Sequence, residues 1–259
     1  MRGKGLGKIF NALEKSEKEF GKTVSVKSNL HYTTDEWDLI SVQKPNSIEA
    51  EYFRALKNSL LFPESGNPPR TIMITSTSRG EGKSFVASNL AVAIASTIDE
   101  HVLLVDCDLH RPTVHSMFGI ENNKGLSNYL TQNGELSSFM AKTFLKKLTV
   151  LPGGPPPDNP SELISSEQMR QLINEVETRY DDRYILLDTP PPLITTEIHA
   201  LAKHVEGILL VVKHGYTQKD KIQDIIDIYG REKILGVVYN FARGKFGFNY
   251  ASQYGYGYE

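Results

Sequence analysis

The sequence predicts an α/β fold: a doubly wound, mostly parallel sheet with helices on both faces. Three observations carry that prediction. Runs such as HVLLVD (101–106), YILLD (184–188), GILLVV (207–212) and ILGVV (234–238) are continuously apolar, the pattern of strands covered on both sides. From residue 70 onward such runs alternate with helix-like stretches. A glycine-rich turn, Ser78-Arg79-Gly80-Glu81-Gly82-Lys83-Ser84, joins the strand-like Arg70–Thr75 (RTIMIT) to the Ala-rich, helix-like Ser84–Ser96.

Composition narrows the function classes. With 39% hydrophobic and 23% charged residues, the 259-residue chain is long enough for one α/β core plus extensions. A net charge of −2 argues against a general nucleic-acid binder, whose surface carries a basic excess. The single cysteine, Cys107, rules out an internal disulfide framework, and no apolar stretch follows the early lysines as a signal peptide requires. The longest apolar runs fall far short of the roughly 20 residues that span a bilayer. The expected compartment is cytoplasmic, with any membrane contact made through a surface or a partner.

Along the chain, residues 1–45 read as a polar leader and linker, with Leu6, Ile9, Phe10 and Leu13 on one face of an amphipathic helix. The main domain is expected over 46–240. It opens on a helix capped by Asn46 or Ser47, with Glu49 and Glu51 in its first turn. Its apolar face is read as Ile48, Tyr52, Ala55, Leu56 and Leu60, and it stops before Pro63. Strands are expected over 70–75, 101–106, 148–151, 183–188, 207–212 and 233–239, and helices over 83–97, 165–179, 195–203 and 217–229. Gly153–Pro160 (GGPPPDNP) breaks the rhythm as a stiff surface loop.

Residues 241–259 are read as a tail. Tyr250, Tyr254, Tyr256 and Tyr258 lie there among Gly, Ser, Asn and Gln, with no periodic apolar face. Such a segment is expected to be flexible, able to carry several hydroxyls to an active site.

The glycine-rich turn has the chemistry of a phosphate cradle. Glycines let backbone N–H groups converge on anionic oxygens, and the next helix adds the positive end of its dipole. Lys83 and Ser84 reach a terminal phosphate and its Mg²⁺. The candidate nucleotide contacts are Ser78, Arg79, Gly80, Glu81, Gly82, Lys83, Ser84 and Phe85, in a P-loop NTPase fold. The full pattern has glycine where this chain has Thr77, so the flanking strand and helix carry part of the identification.

Two acidic strand ends complete the set. VLLVDCD places Asp106 and Asp108 two residues apart, and YILLDTPP places Asp188 just past its last apolar residue, the position of a Walker B aspartate. Ser84, Asp188 and one of the Asp106/Asp108 pair make a sufficient protein shell for Mg²⁺, which prefers few carboxylates plus phosphate and water. The remaining carboxylate is free to orient an acceptor hydroxyl and take its proton. Spacing leaves the division of labour open; Asp106 is preferred at the metal and acceptor. Lys83, Asp106 and Asp108 are thus the catalytic candidates, and Ser84, Asp106 and Asp188 the metal ligands. Cys107, pointing the other way, reads as a small buried apolar residue.

In this combination the chain resembles the bacterial tyrosine kinases of capsule and exopolysaccharide synthesis, over roughly residues 46–259. The markers are SRGEGKS, LLVDCDLHRP, ILLDTPP, ILGVVYN and the C-terminal tyrosine cluster. The resemblance implies a protein-tyrosine kinase using ATP and Mg²⁺. It would phosphorylate its own tail at Tyr250, Tyr254, Tyr256 and Tyr258, usually on a neighbouring subunit of a ring-like homo-oligomer, and other protein tyrosines besides. Asn240 would touch the adenine. Glu51, Arg54 and Lys57 match an ExxRxxR helix that packs subunit to subunit, with Lys57 forfeiting a bidentate arginine contact. The resemblance also implies a separate kinase subunit, recruited to the inner membrane face by the cytoplasmic segment of a transmembrane polysaccharide co-polymerase that activates it. Arg79, where the family often has Pro, and His110-Arg111, where Arg directly follows the DxD-Leu, are departures. Two other readings stand beside this one: a partitioning-type P-loop ATPase switch, whose early lysine is Ser78 here, and a nucleotide-binding scaffold of a polysaccharide export complex.

Overall fold

The computed structural model describes residues 39–132, 134–179 and 183–242. Its strands are β1 (Thr71–Ser76), β2 (His101–Asp106), β3 (Ala141–Lys142), β4 (Leu148–Leu151), β5 (Arg183–Asp188), β6 (Gly207–Lys213) and β7 (Ile234–Asn240). They form one sheet in the order β3-β4-β2-β5-β1-β6-β7. Every pairing is parallel except that of β3, a two-residue antiparallel edge strand too short to leave a sequence pattern. β1 includes two threonines and a serine, yet all six of its residues are buried. Lying between β5 and β6, it is covered on both faces, and the Thr75 hydroxyl donates to the Pro190 carbonyl at 3.0 Å.

Two cores, one on each face, make the sheet doubly wound. One holds α1 (Ile40–Gln43), α2 (Ile48–Leu61), α3 (Lys83–Ala95) and α4 (Val114–Met117) around Ile72, Ile74, Val102, Leu104 and Leu209. The other packs α5 (Leu126–Thr131), α6 (Pro160–Ile164), α7 (Glu167–Arg179), α8 (Ile198–Ala202) and α9 (Lys219–Tyr229) around Met73, Leu103, Ile185 and Leu210. The long helices lie within a few residues of the sequence reading. The short α4, α5 and α6, of four to six residues, span too few turns for a period to show.

The first long helix corrects the sequence reading in one respect. Ser47 is the N-cap, its hydroxyl accepting from the Ala50 N–H at 3.1 Å. The buried side, however, is Ala50, Phe53, Leu60 and Leu61, while Ile48 (68%), Tyr52 (53%) and Ala55 face outward. On that buried side the Phe53 ring packs edge-on against Phe85 of α3 at 5.7 Å. The helix therefore carries a second, outward apolar stripe. Packing also reaches back to Leu39, which is buried, and the Ser41 N–H donates to Asn89 Oδ1 at 3.1 Å.

The loop at Gly153–Pro160 is only partly a surface loop. Gly153 and Gly154 are buried and leave no room for a side chain: a Cβ at Gly153 would meet Pro112 at 2.7 Å and one at Gly154 would meet Ser127 Oγ at 2.5 Å. Asn122 clamps Gly154 through both its amide N–H and its carbonyl. Pro155 and Pro156 remain exposed.

Candidate active site

β1, β2 and β5 are adjacent in the sheet and end at the same edge, so the sequence-distant motifs that follow them converge. β1 delivers the turn that opens α3. Gly80 and Gly82 have φ of 78° and 86°, a left-handed conformation that glycine adopts without strain. Gly82 also leaves no room for a side chain: a Cβ there would lie 2.2 Å from Asn240 Nδ2.

Lys83 reaches back over the strand ends. Its ammonium stands 2.9 Å from Asp108 Oδ2, 3.7 Å from Asp188 Oδ1 and 3.3 Å from the Ser84 hydroxyl. Burial works against the ammonium, but the charges of Asp188 and Asp108, with Asp106 behind them, outweigh it and hold its pKa above the ordinary lysine value.

The three acids have different surroundings. Asp106 is fully buried and surrounded by backbone donors: Oδ1 accepts from the Asp108 N–H at 3.2 Å, and Oδ2 from the Thr113 and Val114 N–H groups at 2.9 and 3.0 Å. Burial, followed by the charge of Asp188, lifts its pKa to about 8 against the pull of the Val114 N–H and Lys83. Asp108 is the acid nearest Lys83; its other oxygen accepts from the Arg111 N–H at 3.2 Å. Asp188 is fully buried with no hydrogen-bond partner of good geometry on either oxygen. Burial raises its pKa, with Lys83 and the nearby Ser84 hydroxyl pulling the other way.

Among the described residues no group of three or more His, Cys, Asp or Glu side chains closes into a ready-made metal cage. The residues at the loop nevertheless fit Mg²⁺, which takes one or two carboxylates and completes its shell with phosphate oxygens and water. The buried carboxylate of Asp188, beside the Ser84 hydroxyl and with only the Lys83 ammonium at 3.7 Å to meet its charge, is the observation that supports the fit.

The other sequence candidates fall as follows. Ser78 is half-buried, its N–H donating to Glu81 Oε2 at 2.9 Å, and Arg79 and Gly80 are exposed at the loop tip. The Glu81 carboxylate is fully buried. The ring of Phe85 packs on Phe53, leaving its backbone in the first turn of α3. Asn240 ends β7, and its amide donates to the Glu81 carbonyl at 3.0 Å, so it lies against the loop. Glu51 and Arg54 form an exposed ion pair at 2.5 Å, with Arg54 also donating to the Pro45 carbonyl, and Lys57 is half-buried on the same helix. Cys107 is buried in the apolar core, and burial with the neighbouring acids pushes its thiol pKa up. Tyr250, Tyr254, Tyr256, Tyr258 and the leader lie outside the described residues.

Sequence reasoning missed the Thr113 and Val114 N–H groups on Asp106, the pairing of His110 with the buried Glu197 at 3.2 Å, and the use of Thr77. The Thr77 hydroxyl bonds the Glu81 carboxylate. Its one signal in the sequence is a threonine where the full motif has glycine.

No helix among the described residues is long and apolar enough to cross a membrane. The sequence family described as "AAA domain" matches residues 69–229. Tyrosine-protein kinase YwqD of Bacillus subtilis (strain 168) is 34% identical over 221 residues, covering 85% of this chain and 90% of that relative. Among solved structures, the chimerical protein CapA2B2 superposes with a TM-score of 0.73 at 31% identity, covering 90% of this chain and all of the other. The kinase domain of Escherichia coli tyrosine kinase ETK gives 0.72 at 31%, covering 85% of each chain. With the motif order, the converging strand ends and relatives at a third identity over most of its length, this chain belongs to the bacterial tyrosine kinase family.

Proposed function

We propose that this chain is an ATP-dependent protein-tyrosine kinase that transfers phosphate to its own C-terminal tyrosines, Tyr250, Tyr254, Tyr256 and Tyr258, and serves capsule or exopolysaccharide synthesis. The observation that carries the reading is the convergence on Lys83 of Asp108 at 2.9 Å and Asp188 at 3.7 Å, three motifs from three parts of the chain. The loop residues 78–85 and Asn240 would bind the nucleotide. Ser84 and Asp188 would hold Mg²⁺, whose charge would favour the ionised form of the neighbouring buried Asp106. That ion would neutralise charge on the phosphates and hold them in line.

Asp108 would act as the base. Its Oδ2 is the carboxylate oxygen nearest Lys83, and Asp108 is slightly exposed whereas Asp106 is sealed and held by backbone N–H groups. Once phosphate oxygens draw the ammonium away, Asp108 can accept the proton of an incoming phenol. Lys83 then stabilises the charge that develops on the transferring group. This supports a shift of the acceptor role from Asp106 to Asp108.

Assembly into a ring-like homo-oligomer is part of the same proposal, supported by the outward stripe Ile48, Tyr52 and Ala55 beside the exposed Glu51–Arg54 pair and Lys57. A cytoplasmic segment of a membrane co-polymerase is the proposed activator and recruits the kinase to the inner membrane face. The main domain is proposed to run over 46–240 between the leader and the tail. Incubation with Mg²⁺ and ATP, with and without such an activator, followed by mass spectrometry of the tail, tests the activity. Phosphotyrosine at 250–258 that vanishes in Lys83→Met is the expected result; phosphate release without phosphotyrosine would overturn it.

A further inference from the structure

Glu81 sits within a loop shaped to attract phosphate, yet its side chain is an acid. An acid there opposes anion binding unless its charge is turned inward and taken up by donors. That is its setting. The residue is fully buried, and three neutral donors surround the carboxylate. The Thr77 hydroxyl reaches both oxygens at 3.0 and 3.1 Å, the Ser78 N–H reaches Oε2 at 2.9 Å, and the Thr217 hydroxyl donates to Oε1.

Thr217 belongs to the turn between β6 and α9 and is itself buried. Its hydroxyl oxygen accepts from the Lys213 N–H at 2.8 Å, so its proton is directed at Glu81. A continuous line of hydrogen bonds thus runs from the end of β6 into the phosphate loop. The carbonyl of Glu81 is held from the other side by the Asn240 amide, and the Asn240 carbonyl accepts from the His214 N–H at 2.9 Å. One residue is therefore the point at which β6 and β7 grip a loop whose two glycines, Gly80 and Gly82, would otherwise leave it free to collapse.

We propose that Glu81 is a positioning residue: its buried carboxylate, bridging Thr77 and Thr217, holds the phosphate loop in its binding shape before nucleotide arrives. Nucleotide affinity then depends on the β6–α9 turn as well as on the loop. The physical gain is preorganisation, since a loop already ordered loses less freedom on binding. The inference rests on the nucleotide-binding reading of the site.

The test measures affinity for ATP with Mg²⁺ by titration calorimetry on the full chain, together with kcat and KM for tail phosphorylation. Glu81→Ala and Thr217→Val are each expected to weaken ATP binding about tenfold, raising KM while kcat stays within about twofold. The double variant should lose about tenfold in all, because both changes cut the same tie, where independent effects would multiply to about a hundredfold. Thr217→Ser, which keeps the hydroxyl, should restore wild-type affinity. If Glu81→Ala fails to fold, the Thr217→Val and Thr217→Ser pair carries the test alone. Single variants within about twofold of wild type, multiplying effects, or kcat falling in step with affinity would overturn the proposal. Wild-type protein that binds no ATP would instead overturn the nucleotide reading, and this inference with it.

Discussion

β2 and β5 lie side by side in parallel register, with Asp106 directly opposite Asp188, and the two aspartates end their strands in the same way. Yet they sit in opposite circumstances. Asp106 is held by backbone N–H groups from Asp108, Thr113 and Val114, so it shapes the chain that turns out of β2. Asp188 is equally buried and accepts no such bond. The Lys83 ammonium at 3.7 Å meets its charge only in part, and a buried carboxylate short of hydrogen bonds costs stability. The contrast separates an acid held by the chain from an acid left open, which is the one proposed as a metal ligand.

The sharpest way to break this contrast is to neutralise the open acid. Asp188→Asn should lower tail phosphorylation by roughly 10²–10³-fold, the scale for losing one preorganised charge at a reacting centre. The free protein should change little in urea, since relief of the buried Asp188 charge offsets the loss of its attraction to the Lys83 ammonium at 3.7 Å, which Asp108 still pairs at 2.9 Å. A marked loss of stability would show that Asp188 has a structural role like that of Asp106.

Truncating the held acid should instead lower stability. Asp106→Ala leaves three backbone N–H groups without their acceptor and should cost about 2–4 kcal/mol in urea unfolding. Asp106→Asn, which keeps an acceptor oxygen, should cost much less. Equal losses in the two variants would refute the capping role.

A pH series sharpens the comparison further. Burial lifts Asp106 from 3.8 to about 8, so over that window the folded chain holds a proton that the unfolded chain has released. Stability in metal-free buffer should therefore fall as pH rises from about 4 to about 8, the folded state binding more protons throughout. Asp106→Asn should make that slope shallower, leaving the part due to Asp188, whose pKa burial also raises, and an unchanged slope would assign the effect to Asp188 or another group.

The smallest effect is expected at a buried polar group on a helix, Tyr229 at the end of α9. Its hydroxyl has no hydrogen-bond partner, and burial pushes its pKa up. Tyr229→Phe should leave activity alone and keep stability within about 0.5 kcal/mol of wild type or above it, because no bond is lost. A clear loss in thermal unfolding would mean that the hydroxyl is satisfied after all, and that an unpartnered group is a weaker signal of a ligand than Asp188 implies.

The sequence by itself determined the sheet's central strands, because two-sided burial writes continuous apolar runs that need no partner to be read; the run ILGVV misled, since β7 is an edge strand in which Ile234 is buried and Leu235 exposed. The sequence also determined the phosphate loop and the acidic strand ends for a similar reason: glycine, lysine and aspartate at those spacings are required by local backbone geometry and charge. Tertiary structure alone decided the rest. Whether Ile48 and Tyr52 or Ala50 and Phe53 face the core was decided by how α2 packs on α3, where Phe53 meets Phe85. The pairing of Asp108 with Lys83, and the enclosure of Asp106 by Thr113 and Val114, followed from how the chain turns after β2. The bond from Thr217 to Glu81 joins residues 136 positions apart. Such contacts leave no local period or spacing, since they are set by which elements the sheet order brings together.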